Sequence, residues 1–138
     1  MQPKLLNGKS YTDSRGSLSF NNNLDLSSVR RMYFIENINI NFVRGWQGHK
    51  IEKRWFNAVR GSFKIQLIKI DDWIRPTKNL TKELFILTSK TLDVFYIPNG
   101  YVSSIQALQL KSKLLVMSDY LLGEIKDEYR YDLDYFNN

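Results

Sequence analysis

Cysteine is absent from the 138 residues, which excludes disulfide bonds and thiolate metal sites. Histidine is nearly absent: His49 is the one imidazole in the chain, so chemistry that needs a base titrating near neutral pH has one such group to draw on. No apolar run approaches the roughly 20 residues of a membrane-spanning helix. The opening Met1-Gln2-Pro3-Lys4 does not read as a signal peptide. A cytoplasmic location with no membrane partner is therefore the expectation. No Arg/Lys-rich helix and no nucleic-acid-binding motif occurs, so nucleic acid is not an expected partner either. Nothing repeats and no low-complexity linker interrupts the chain, whose length predicts a single domain over residues 1–138 with a real core.

What is present is a basic body with an acidic end. Residues 1–118 hold 18 Lys and Arg against 8 Asp and Glu, whereas residues 119–138 hold 2 against 6. Solvated strand and loop positions such as Lys64, Lys69, Lys78 and Lys82 account for much of the excess, and the remainder suits an anionic ligand. Aromatic residues make up 14% of the chain, as expected where strands line a pocket.

Short β-rich runs separated by turn residues fill the first 118 positions. Asp13-Ser14-Arg15-Gly16 reads as a turn, and Ser17–Phe20, Arg30–Glu36 and Phe42–Lys50 as strands. Trp55–Val59 leads into a tight turn at Arg60-Gly61-Ser62, after which Phe63, Ile65 and Leu67 alternate with Lys64 and Gln66, the period of a half-buried strand. Asp71–Asn79 reads as loop. Lys82–Thr88 and Val94–Ile97 are predicted strands, the second stopped by the turn Pro98-Asn99-Gly100. Ser103–Leu108 and Lys113–Ser118 complete the set, and Leu121–Tyr131 is the one segment read as helical. Many short strands with helix only at the end predict an antiparallel sandwich or barrel.

One stretch narrows that choice. Gly45-Trp46-Gln47-Gly48-His49 is followed by Arg54 and then, after six intervening residues, by Gly61. This resembles the first motif of the cupin barrel, which runs Gly, a spacer, His-x-His, three or four residues, Glu, six residues, Gly. Gln47 stands at the first His, His49 at the second and Arg54 at the Glu. The second cupin motif, Pro-x-Gly-x-x-His, is matched by Pro98-Asn99-Gly100-Tyr101-Val102-Ser103, with Ser for His. An amide, a guanidinium and a hydroxyl do not replace imidazoles and a carboxylate around a metal. The expected fold is all-β, a cupin (double-stranded β-helix, jelly-roll) barrel with a short C-terminal helical segment, and no metal or other cofactor is expected.

The chain also resembles the sugar 3,4-ketoisomerases, cupins acting on dTDP-4-keto-6-deoxyhexoses, and more distantly the dTDP-4-dehydrorhamnose 3,5-epimerases. The residues that carry this are Asp13-Ser-Arg-Gly16, Val29–Ile35, Arg44–Lys50, Val59–Ser62, Ile97–Gly100 and Val116–Tyr120. In the ketoisomerases the central motif reads Arg-Gly-x-His-x-His-Lys, which puts Arg44, His49 and Lys50 on the pattern and Gln47 where the first His is commonly assigned a proton-transfer role. The resemblance implies an isomerase of a dTDP-linked keto-deoxy sugar, bacterial polysaccharide biosynthesis, and a homodimer.

That reaction needs a base for the C3 hydrogen of a 4-keto sugar, a donor or cation for the enediolate oxygens, and a dry cavity. His49 is the candidate base, and Gln47, two residues away on a strand, shares its face. The resemblance adds Tyr33 as a second catalytic candidate, although core packing suits its residue type. Arg44 fits a phosphate or enediolate oxygen as well as it fits a surface ion pair. Lys50 belongs to the substrate-binding set by motif but should face away from His49. Arg54 needs an anion or a partner such as Glu52 or Glu36. Ser103 and Ser104 are candidates for sugar contact at a mouth-facing turn, and Trp46, Trp55 and Tyr101 for ring stacking or barrel packing. Two further readings stay open: a 3- or 3,5-epimerase, and a sugar-binding cupin that lost catalysis with Gln47.

Overall fold

A computed structural model describes residues 1–137. Its strands are β1 (Lys4–Leu6), β2 (Lys9–Asp13), β3 (Gly16–Phe20), β4 (Arg31–Ile35), β5 (Val43–His49) and β6 (Arg54–Arg60). They continue as β7 (Ser62–Lys69), β8 (Lys82–Thr88), β9 (Val94–Ile97), β10 (Tyr101–Ala107), β11 (Lys113–Ser118) and β12 (Tyr129–Arg130). Two five-stranded antiparallel sheets, ordered β1-β9-β6-β11-β4 and β12-β5-β10-β7-β8, carry the core, and β2 and β3 form a separate hairpin. The all-β expectation and most strand positions hold.

Alternation builds the core. On β7, Phe63, Ile65 and Leu67 are buried while Lys64 and Gln66 are partly exposed. These three pack with Phe56, Ala58, Phe95, Ile97, Tyr101, Ile105, Leu114 and Val116, contributed by both sheets. The outer face of the first sheet is covered too: Trp55, Val94, Tyr96 and Met117 pack with Leu24 and Val29 of the long β3–β4 connection. Gly100 takes φ 100° in the β9–β10 turn, a conformation that costs glycine nothing.

The helix expected over Leu121–Tyr131 does not form. Gly123 sits at φ 76°, which ends any right-handed turn. Further on, Asp127 is drawn into the β5–β6 turn, and Tyr129 and Arg130 pair with Gly48 and Gln47 as β12. Tertiary partners therefore supply the hydrogen bonds that a helix would have supplied internally. The aromatic end of the chain is then clamped: Phe136 packs edge-on to Trp46, and the Tyr131 and Tyr135 hydroxyls donate to the carbonyls of Trp73 and Pro76 at 2.6 Å. The acidic segment thus lies across the basic body.

Candidate active site

Inward positions change character along three strands. On β6 they read Arg54, Phe56, Ala58; on β10, Ser103, Ile105, Ala107; on β11, Ser118, Val116, Leu114. Register puts the polar members at one end. Arg54 is opposite Ser118, which is opposite Arg31 on β4, and Ser103 is opposite Gln47 on β5. Above this polar row opens a cleft of about 1000 Å³ between the β4 edge of one sheet and the β12–β5 side of the other, bordered by residues 121–123 and 125–128.

His49 borders the cleft at the end of β5, its side chain 11% exposed. Its Nδ1 lies 2.9 Å from the carbonyl oxygen of Asp127. A carbonyl can only accept, so Nδ1 carries the hydrogen and Nε2 keeps its lone pair. Burial, helped by the Arg54 guanidinium, pushes the imidazole down to about 4, against the opposing pull of Asp127 and Glu128. The ring is therefore neutral at physiological pH.

Asp127 holds the turn beneath it. Its carboxylate accepts from the amides of Lys50, Ile51 and Glu52 at 2.9, 2.9 and 2.8 Å. This fixes Glu52 with 6% exposure, Oε2 3.4 Å from His49 Nε2 and Oε1 3.6 Å from Arg31 Nη2. Among the described residues, Glu52 Oε2 and Arg31 Nε have no hydrogen-bond partner although both atoms are buried. Burial raises the Glu52 carboxyl above the ordinary glutamate range, outweighing the Ser118 hydroxyl and the cations Arg31 and Arg54.

The structure divides the residues expected from the sequence. His49, Gln47, Tyr33 and Arg44 all border the cleft. The Gln47 amide donates to Glu128 Oε1, and Arg44 has a long contact to Asn37 at 3.5 Å. Arg54 and Ser103 do not border it. Arg54 is buried beneath, donating to Ser103 Oγ at 3.2 Å with its guanidinium 5.2 Å from the Phe56 ring. Ser103 is inside β10 rather than in the mouth-facing turn, because that strand begins at Tyr101 directly after Gly100. Lys50 lies just past β5, exposed and off the cleft lining, as strand alternation requires. Trp46, Trp55 and Tyr101 are packing residues in three different clusters.

Arg31, Glu52 and Asp127 are the members that motif reading missed. Arg31 was legible as an inward position, since it shares the parity of Tyr33 and Ile35. Glu52 and Asp127 lie in irregular segments, where no period applies.

A family model described as FdtA: WxcM-like, C-terminal matches residues 1–138. The chain belongs to this family. Solved structures agree on the fold of this FdtA-family chain. A 3,4-ketoisomerase from Helicobacter canadensis is 23% identical, covering 90% of this chain and 87% of that one at a TM-score of 0.68. The sugar 3,4-ketoisomerase QdtA from Thermoanaerobacterium thermosaccharolyticum, in complex with TDP, is 22% identical over 94% of this chain and 88% of that one, at 0.71. The rmlC epimerase of Mycobacterium tuberculosis reaches 0.72 at 16% identity, over 93% of this chain and 68% of that one. No curated protein sequence matches significantly.

Proposed function

We propose that this FdtA-family protein isomerises a nucleotide-linked 4-keto-6-deoxy sugar, most simply a dTDP sugar, moving the ketone from C4 to C3. The observation that carries this reading is the tautomer of His49. Its Nδ1–H is committed to the Asp127 carbonyl, and a neutral Nε2 is left at the wall of a cleft large enough for a sugar nucleotide. Nε2 takes the C3 hydrogen, the electron pair moves onto the C4 oxygen, and the resulting enediolate is stabilised by the nearby cation Arg31. Tyr33 offers a hydroxyl from β4. Arg44, Lys126 and Arg130 border the same cleft and suit the diphosphate. Related folds have been solved with TDP and with TDP-4-keto-6-deoxyglucose, which supports this class of ligand.

The test is proton NMR of dTDP-4-keto-6-deoxyglucose incubated with the protein in deuterated water. Ketone migration to C3 is expected. A retained C4 ketone with an inverted centre identifies an epimerase, a reading favoured by Tyr33 and His49 standing on opposite sheets. Binding without exchange or product, tried across the 4-keto-6-deoxy hexoses, identifies a sugar-binding module, as Gln47 in place of an imidazole would suggest.

A further inference from the structure

We propose that Glu52 is the second acid–base group of this site, moving the oxygen-bound proton of the substrate while His49 moves the carbon-bound hydrogen. The proposal rests on the isomerase reading and assigns the step that Gln47 cannot perform, since an amide neither gives nor takes a proton usefully.

Three observations carry it. First, Glu52 borders the cleft, and its Oε2 lies beside the one free ring nitrogen, 3.4 Å from His49 Nε2. Second, Glu52 Oε2 is buried without a hydrogen-bond partner among the described residues, and so is Arg31 Nε on the facing strand. Buried polar atoms are nearly always bonded, and an orphaned pair at a cleft wall fits a ligand's hydroxyl and carbonyl oxygens. Third, the carboxyl is not on a loose loop. The Asp127 carboxylate takes the amides of Lys50, Ile51 and Glu52, which holds the turn in place.

A salt-bridge partner for Arg31 or Arg54 would need only charge, but the surroundings favour a proton carrier. The groups facing Glu52 are Arg31 from β4, His49 from β5, Arg54 from β6, Asp119 after β11 and Asp127 from the C-terminal segment. Burial, with Asp119 beside it, raises the carboxyl against the Ser118 hydroxyl and the cations Arg31 and Arg54, while burial lowers the imidazole to about 4. Two neighbours displaced in opposite directions form an acid and a base.

The proton balance closes. His49 Nε2 takes hydrogen from C3 and the electron pair moves onto the C4 oxygen, where Arg31 stabilises the enediolate. The Glu52 carboxylate then takes the proton from the C3 hydroxyl and passes it to the C4 oxygen, the carbonyl reforms at C3, and C4 receives hydrogen from Nε2. Both side chains end as they began, and the ketone has moved by one carbon.

The experiment separates the two protons. Wild type, Glu52→Gln, Glu52→Asp and His49→Asn are incubated with dTDP-4-keto-6-deoxyglucose in deuterated water, with each fold checked by circular dichroism. Deuterium uptake at C3 and migration of the ketone are followed by NMR. For Glu52→Gln, migration is expected to fall at least about a hundredfold, while uptake at C3 stays within about tenfold of wild type, the usual scale of one acid–base group. Glu52→Asp should recover part of the migration, and His49→Asn should lose both signals. In the free protein, carbon-13 titration should find Glu52 the highest of the glutamates. Equal loss of uptake and migration in Glu52→Gln, or an ordinary Glu52 titration, overturns the assignment and leaves the isomerase reading intact. A wild type without uptake or migration on any 4-keto-6-deoxy sugar nucleotide overturns both.

Discussion

The two ends of the sheet pair are built from the same strands to opposite specifications. At the closed end, Phe56, Phe63, Ile65, Leu114 and Val116 are wholly buried against one another. At the other end, two residues further along the same inward rows, Arg54, Ser103 and Ser118 are just as inaccessible but polar. Apolar burial contributes about 25 cal/mol per Å², whereas an unpaired buried charge costs several kcal/mol. The closed end therefore holds the fold together, and the cleft end is carried by it. Asp127, answering three backbone amides, keeps that cleft end ordered.

Substitutions at each end sharpen this contrast. The largest effect should come from His49→Asn, which is expected to lower turnover about 10²- to 10⁴-fold. Its melting temperature should fall little, and dTDP binding by calorimetry should persist. At the closed end Phe56→Ala should do the reverse, costing about 3–5 kcal/mol in urea unfolding because a large ring leaves a cavity. A Phe56→Ala protein of wild-type stability would remove the basis of the comparison.

Acid should also act through the cleft end. The folded state holds His49 at about 4, below the ordinary 6.5, so below pH 6.5 the unfolded chain binds a proton that the folded one refuses. Stability should fall as pH drops from 6.5 toward 4, by about 3 kcal/mol for this group alone. Glu52 is displaced upward and works the other way: between its raised value and the ordinary glutamate range the folded state takes up the proton first, offsetting part of the loss. Urea unfolding across that range should show a shallower acid limb for His49→Gln than for wild type. Asp127→Ala removes the acceptor of three amides and should cost about 1–3 kcal/mol, with faster hydrogen exchange at Lys50, Ile51 and Glu52. The smallest change is expected for the stability of Arg54→Met. An apolar side chain of similar length replaces a buried cation there, and such exchanges are often neutral.

Alternation made β7 readable from Phe63, Ile65 and Leu67, and a fixed motif spacing placed Gln47 and His49 on one face. Both are local: strand parity needs only neighbouring residues, and a hairpin's turn needs only its own glycine. The Leu121–Tyr131 segment was misread because a leucine pair followed by alternating charges suits a helix, and the competing partners for its backbone lie more than 70 residues away in β5 and its turn. The start of β10 was read two residues late, at Ser103 instead of Tyr101, for a similar reason, since it depends on pairing with β5 and β7.

By itself, then, the amino-acid order determined an all-β, cysteine-free chain with one imidazole set on an inward-facing strand position, because pleat parity and composition are properties of short stretches. Only the packed molecule decided that Glu52, Arg31 and Asp127 surround that imidazole and that Arg54 lies beneath them. These residues come from three separate stretches of the chain, and burial and hydrogen-bond partnership between distant segments exist only once the two sheets close on each other.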